Sequence, residues 1–286
     1  MFDKGYGQLQ AAIASSTGLL KAIAFFLVWA GLWFPLAIPV AIVLKWRPLS
    51  PMKVEQKLPL LASLYLIAPL IVWGASWAEG SSFSDYGLEW KLSTLVSLSL
   101  GLGLGVLSLA VIFGLEGMLG WIEWQKEEEQ PRDWLSISKS ILLPTLLIGL
   151  LVSGIEELIF RGFLLNELQQ DYSVLVAAAI SSVIFALLHL VWEQQETLPQ
   201  LPGLWLMGMV LVLARIVDGG SLGLAWGLHA GWIWGIASLD TARLINYTSF
   251  VPAWMTGIRE KPLAGGAGIV CLLGTAAVLW SFSGYW

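Results

Sequence analysis

Cysteine is nearly absent from this chain: Cys271 is the single example among 286 residues. That excludes an internal disulfide and any zinc site built from several cysteines. Inside the last apolar run, Cys271 reads as a small buried apolar residue. Charge is scarce as well. Asp, Glu, Lys and Arg make up 12% of the residues, against about a quarter in a soluble domain. The net charge is −5 without any basic tract, so nucleic acid is not an expected partner. Histidine occurs twice, as His189 and His229. No repeat, linker or low-complexity tract is visible, and a single domain over residues 1–286 is the simplest organisation.

What is abundant is apolar. The chain is 57% hydrophobic and holds 17 Trp, a residue that collects at membrane interfaces. Crossing the hydrocarbon core takes about 20 apolar residues. Runs of that kind fall near residues 19–44, 58–78, 93–121, 139–168, 173–192, 202–217, 221–239 and 264–284. Backbone polar groups cannot stay unpaired in lipid. The pattern predicts an all-α membrane protein, a bundle of about eight transmembrane helices enclosing an intramembrane polar cavity. The run from Leu19 to Leu44 contains Pro35 and Pro39. It exceeds the about 7–15 residues of a signal-peptide core and is expected to be a retained span. Segment 83–90 is expected at the interface before the third span.

Cations cluster in alternate loops. Lys45, Arg47, Lys53 and Lys57 occupy one, Lys126, Arg132 and Lys139 another, and Arg243, Arg259 and Lys261 a third. An excess of Lys and Arg marks the cytoplasmic side, which puts both termini on the non-cytoplasmic side. Lys4 and Lys21 weigh against that count. Glu127–Glu129 reads as a solvated loop face.

Against this background, Ser153-Gly-Ile-Glu-Glu-Leu-Ile-Phe-Arg-Gly162 sets three charges in an apolar helix. A carboxylate at mid-membrane costs roughly 2.5–3.5 kcal/mol on insertion scales, so such residues point to a functional site. Gln169–Ser173 is the polar break between two apolar runs, and Glu156 and His189 are nearly equidistant from it. In an antiparallel hairpin both then lie about 24 Å from the turn, at 1.5 Å per residue. His229 falls near mid-depth of its own span.

Helical geometry divides the two glutamates. Neighbouring positions diverge by about 100°, so both cannot face one cavity. Glu157 and Arg161 are spaced i, i+4 and suit an ion pair. Glu156 is left to meet His189 and His229. A carboxylate in an apolar site suits general acid–base work near neutral pH. Imidazoles can position a water, stabilise an oxyanion or bind a metal. Glu156, His189 and His229 also resemble a zinc set with one open position, although no His-Glu-x-x-His helix is present. No Ser or Cys stands in an activating motif, so water-mediated hydrolysis needs the fewest assumptions.

Glu156-Glu157-x-x-x-Arg161, Phe185-x-x-x-His189 and Gly-Leu-His229-Ala-Gly-Trp together resemble the CPBP (Abi) family. It includes the type II CAAX prenyl endopeptidases and bacteriocin-processing or immunity proteins. The similar core spans about residues 139–240. The resemblance implies an intramembrane endopeptidase acting on a membrane-associated or lipidated protein or peptide. It implies that Glu156 and His189 activate the water and that His229 completes the site or an oxyanion hole. Glu157, Arg161 and Phe185 would support them. Family members are often labelled metalloproteases, and zinc on Glu156, His189 and His229 is an option rather than a requirement.

One position departs from the pattern. Where the family has Asn or Asp four residues after the last histidine, this chain has Ile233. Losing one oxyanion donor costs about 10²–10³ in rate. Ser238 and Asn246 are candidate substitutes. The departure also keeps open a catalytically weak or inactive relative that serves as a membrane assembly or immunity factor. A proton-relaying transporter is less favoured, because many transporters show internal repeats. Arg215 and Asp218, spaced i, i+3, read as a helix-end ion pair. Phe185, Trp226, Trp232 and Trp234 read mainly as packing, and Gly101, Gly103 and Gly105 as a close helix approach.

Overall fold

A computed structural model of the chain describes residues 15–47, 53–125, 137–191, 194–248 and 250–283. Lys4, Lys126, Arg132 and the Glu127–Glu129 run lie outside the described residues. Eight helices of 15 residues or more follow in order among those described. They are α1 (Gly18–Val43), α2 (Val54–Glu79), α3 (Leu92–Met118), α4 (Ser138–Leu168), α5 (Val174–Leu188), α6 (Leu201–Val217), α7 (Gly223–Ala242) and α8 (Gly266–Phe282). Six stretches are long and apolar enough to cross a membrane, and α8 is a shorter apolar helix. The short sixth run gains length from a lead-in, so that Gln194–Val217 forms one 24-residue stretch. The remaining helix, α7, is diluted by glycine, tryptophan and His229, and packs between α3 and α4.

Apolar side chains cover the outer faces: Leu27, Ile42, Leu100, Leu107, Val270 and Trp280 are all well exposed. In water that surface would drive aggregation, whereas lipid accepts it. The chain is an integral, multi-pass membrane protein of all-α type. Among the described residues the one exception is a two-stranded antiparallel ribbon in the loops, β1 (Ile122–Trp124) pairing with β2 (Ile245–Tyr247).

Close approach of α3 and α7 organises the middle. Gly101 and Gly105 face Gly227 and Gly231 without side chains between them, and Gly103 points into open space. Hence two of the three α3 glycines serve the approach expected of all three. Trp232 fastens the same pair by donating its indole N–H to the Ser108 hydroxyl at 2.9 Å. On the other side of α7, Trp226 donates to Leu150 O and Trp234 to Leu142 O, binding α4.

Two regions make contacts that the sequence did not announce. In segment 83–90, Asp85 and Trp90 are exposed while Tyr86 and Gly87 are buried. Tyr86 is buried against Gly162, Asn166 donates to Asp85 O, and Leu222 N–H donates to Gly87 O. Hydrogen bonds from the Ser82 hydroxyl and N–H hold the Asp85 carboxyl below its usual range. Lys21, in turn, is an internal tie. Its ammonium lies 2.9 Å from Glu167 and 3.4 Å from Glu79, joining α1, α2 and the end of α4.

The glycine contact gives a first prediction. A Cβ on Gly227 would stand 2.8 Å from Leu102 N, whereas one on Gly103 would meet nothing within 4 Å. Gly227→Ala should lower stability by about 1–3 kcal/mol through overpacking. Gly103→Ala should be neutral or gain up to about 1 kcal/mol from helix propensity. Thermal unfolding in detergent reads both.

Candidate active site

Glu156 and Glu157 end the regular part of α4. Immediately after them the helix widens into a π-helical stretch, Leu158–Leu164. Such widened turns concentrate at functional sites. Both glutamates are buried, as are Arg161 and His229.

Glu157 is the anchor. Its Oε1 accepts from Arg161 Nη1 at 3.1 Å and lies 2.8 Å from His229 Nδ1. A carboxylate paired with arginine accepts and does not donate, so the imidazole donates from Nδ1, which sets the ring's orientation. Nε2 of the same ring then faces Glu156 Oε2 at 3.5 Å. His229 therefore bridges the two glutamates and sits closer to Glu157. The sequence had paired it with Glu156, and the contact with Glu157 comes in addition. The divergence along one helix is real, but an imidazole has two nitrogens on opposite edges and can reach both.

The Arg161 guanidinium lies over the Phe185 ring, 4.4 Å from its centroid. Phe185 has no exposed surface, and it also meets His189 edge-on at 4.6 Å and His229 at 6.0 Å. It packs the site together from behind. Arg215 adds a strut from α6, donating to Arg161 O, to Asn166 Oδ1 at 2.8 Å and to Gly220 O at 3.0 Å. Asp218 instead accepts from Ser97 Oγ at 2.6 Å and from Leu224 N at the start of α7. The expected Arg215–Asp218 pair is absent among the described residues: each group finds a partner on another helix.

Glu156 faces the other way. It lines a cavity of about 450 Å³ together with His189, Tyr65, Phe26, Trp29, Leu64 and Phe160. Its Oε1 accepts from the Tyr65 hydroxyl. His189 is half-buried and forms the C-terminal cap of α5, where its Nδ1 meets Phe185 O at 2.8 Å. His189 stands at the end of its helix, where a 3₁₀ turn, His189–Val191, begins. A larger apolar groove of about 710 Å³ runs between α1 and α2, but its lining contains neither histidine nor Glu156. The smaller cavity is the one that Glu156 and His189 line.

Tyr65 escaped the motif reading because it lies on α2, 91 residues before Glu156. The available signal was that Tyr65 is the one tyrosine inside any of the eight apolar runs. Ile233 is half-buried beside Gly149 and is not part of the cavity wall. Neither suggested substitute reaches the site. The Ser238 hydroxyl pairs with Thr145 at 2.9 Å, and Asn246 lies opposite Glu123 in the ribbon.

The donor placement does not fit a metal. Among the described residues no three His, Cys, Asp or Glu side chains gather closely enough to hold an ion. His229 directs its two nitrogens at different carboxylates.

The buried pair generates a second prediction. Arg161→Met leaves Glu157 with less compensation in a low-dielectric site, a loss of about 3–5 kcal/mol for such pairs. Adding Glu157→Gln to that variant removes the stranded charge and should recover part of the loss. Thermal unfolding of the single and double variants in detergent checks the sign.

Comparison with known proteins locates this constellation in a family. Residues 138–235 match the model described as Type II CAAX prenyl endopeptidase Rce1-like. No curated protein and no solved structure matches the chain. The matched segment carries Glu156, Glu157, Arg161, Phe185, His189 and His229, the residues on which the CPBP resemblance rested. Residues 138–235, about a third of the chain, are thus similar to that peptidase family, within a multi-pass membrane protein.

Proposed function

We propose that this protein is an intramembrane endopeptidase that hydrolyses a peptide bond of a membrane-associated or lipidated protein or peptide. The observation that carries the reading is the position of Glu156. One carboxylate faces a cavity of about 450 Å³ that His189 also lines, and His229 stands behind it.

Because Phe185 O accepts from His189 Nδ1, the neutral ring leaves Nε2 as an acceptor. Glu156 and His189 Nε2 together hold a water in the cavity. Glu156 takes one proton as the water oxygen attacks the scissile carbonyl carbon. The resulting tetrahedral intermediate collapses, the C–N bond breaks, and Glu156 returns the proton to the leaving amine. His229, oriented by Glu157, keeps the Glu156 carboxylate in place. No step in this scheme uses a metal.

The apolar wall of Phe26, Trp29, Leu64 and Phe160 suits a substrate that brings a lipid chain with its peptide. Lys57, Thr197 and Gln200, near the ends of their helices, also line the cavity. It therefore reaches the end of the bundle where Lys45, Arg47 and Lys53 lie, the side expected to be cytoplasmic.

The test compares peptide termini in membrane fractions containing wild type or Glu156→Gln at equal level. Termini present only with wild type are expected, and their yield should fall by about 10²–10⁴ in the variant, the range for loss of a general base. Identical termini in both would overturn the reading and favour a non-catalytic assembly or immunity factor.

A further inference from the structure

Hydrolysis through an oxyanion needs a hydrogen-bond donor where the charge develops. Position 233, which carries such a donor in the resembling family, here holds an isoleucine packed beside Gly149. Several other polar groups of the cavity wall are committed elsewhere. Trp29 donates its indole N–H to Leu64 O, Thr197 its hydroxyl to His189 O, and Gln200 its amide to Glu196 O. Tyr65 differs, because its hydroxyl is aimed at the carboxylate assigned as the base.

We infer that Tyr65 is a catalytic residue of this chain, supplying the hydrogen bond that stabilises the oxyanion. The inference rests on the hydrolytic reading above. Before attack the hydroxyl donates to the ionised Glu156. When Glu156 takes the proton of the attacking water, it becomes a neutral acid and a much weaker acceptor. The negative charge now lies on the former carbonyl oxygen, and the Tyr65 O–H turns from one to the other. Tyr65 keeps its proton throughout. The water proton passes from Glu156 to the leaving amine when the C–N bond breaks, so atoms and charge balance. One donor thus meets the base in the resting site and follows the charge once it has moved.

The placement explains how the chain dispenses with Asn or Asp at 233. The donor comes from α2, outside residues 138–235, and lines the same cavity as Glu156.

The test uses the full chain in membranes and follows the rate at which wild-type-dependent peptide ends accumulate. Wild type is compared with Glu156→Gln, with Tyr65→Phe, and with 3-fluorotyrosine and 3,5-difluorotyrosine placed at position 65. Thermal unfolding in detergent confirms that each form is folded. Tyr65→Phe should lose about 10²-fold in rate, as for removal of one oxyanion donor, and the fluorinated forms should give rates that track phenol acidity. A Tyr65→Phe rate equal to wild type, with Glu156→Gln silent, overturns the role of Tyr65 and leaves the hydrolytic reading standing. A slow Tyr65→Phe with rates indifferent to phenol acidity also overturns it, since packing alone would then explain the loss. Peptide ends that persist undiminished in Glu156→Gln, or an absence of wild-type-dependent ends, overturn the hydrolytic reading and this inference with it.

Discussion

A glutamate and an arginine buried in a medium that solvates neither oblige everything around them to supply what water would have supplied. Glu157 and Arg161 sit one turn apart on α4, and the neighbouring elements converge on them. The Phe185 ring from α5 covers the guanidinium, His229 from α7 takes the carboxylate, and Arg215 from α6 grips the backbone at Arg161. Four helices are thereby held in one register by charges that cannot be left alone. The glycine contact between α3 and α7 follows the same logic, because α7 must lie deep in the bundle to bring His229 to its partner.

On this anchored base, Glu156 is free to do something else. It follows Glu157 by a single step of the helix in reverse, and that step turns it away from the ion pair and toward the cavity. The structure separates a carboxylate that fixes geometry from one that meets an open volume. His229 spans the two, which couples the position of the cavity-facing group to the buried clamp. The widened helix after Glu157 sits at this junction, where a regular α-helix would leave less latitude in how the side chains leave the backbone.

Much of the fold was legible in the sequence. Long apolar runs, polar breaks and clustered loop cations announce a polytopic helical bundle, since lipid permits few alternatives. The turn between α4 and α5 was visible because Gln169–Ser173 interrupts two apolar stretches. The ribbon of three-residue strands was not, because such short segments carry no period to read. In segment 83–90, a mixed polar and aromatic stretch, the enclosure of Tyr86 was not legible either, because it depends on neighbours distant in the chain.

The site divides along the same line. The sequence by itself determined which ionisable residues lie at membrane depth and which two share an i, i+4 face. Both follow from hydropathy and from 3.6 residues per turn. Only the tertiary structure decided the pairings: His229 between both glutamates, Arg215 and Asp218 apart, Ile233 beside Gly149, and Tyr65 on Glu156. Which side chain meets which across helices depends on how the helices are rotated and how deeply they interlock. Those angles arise from the packing of every contact at once, and no local spacing in the chain records them.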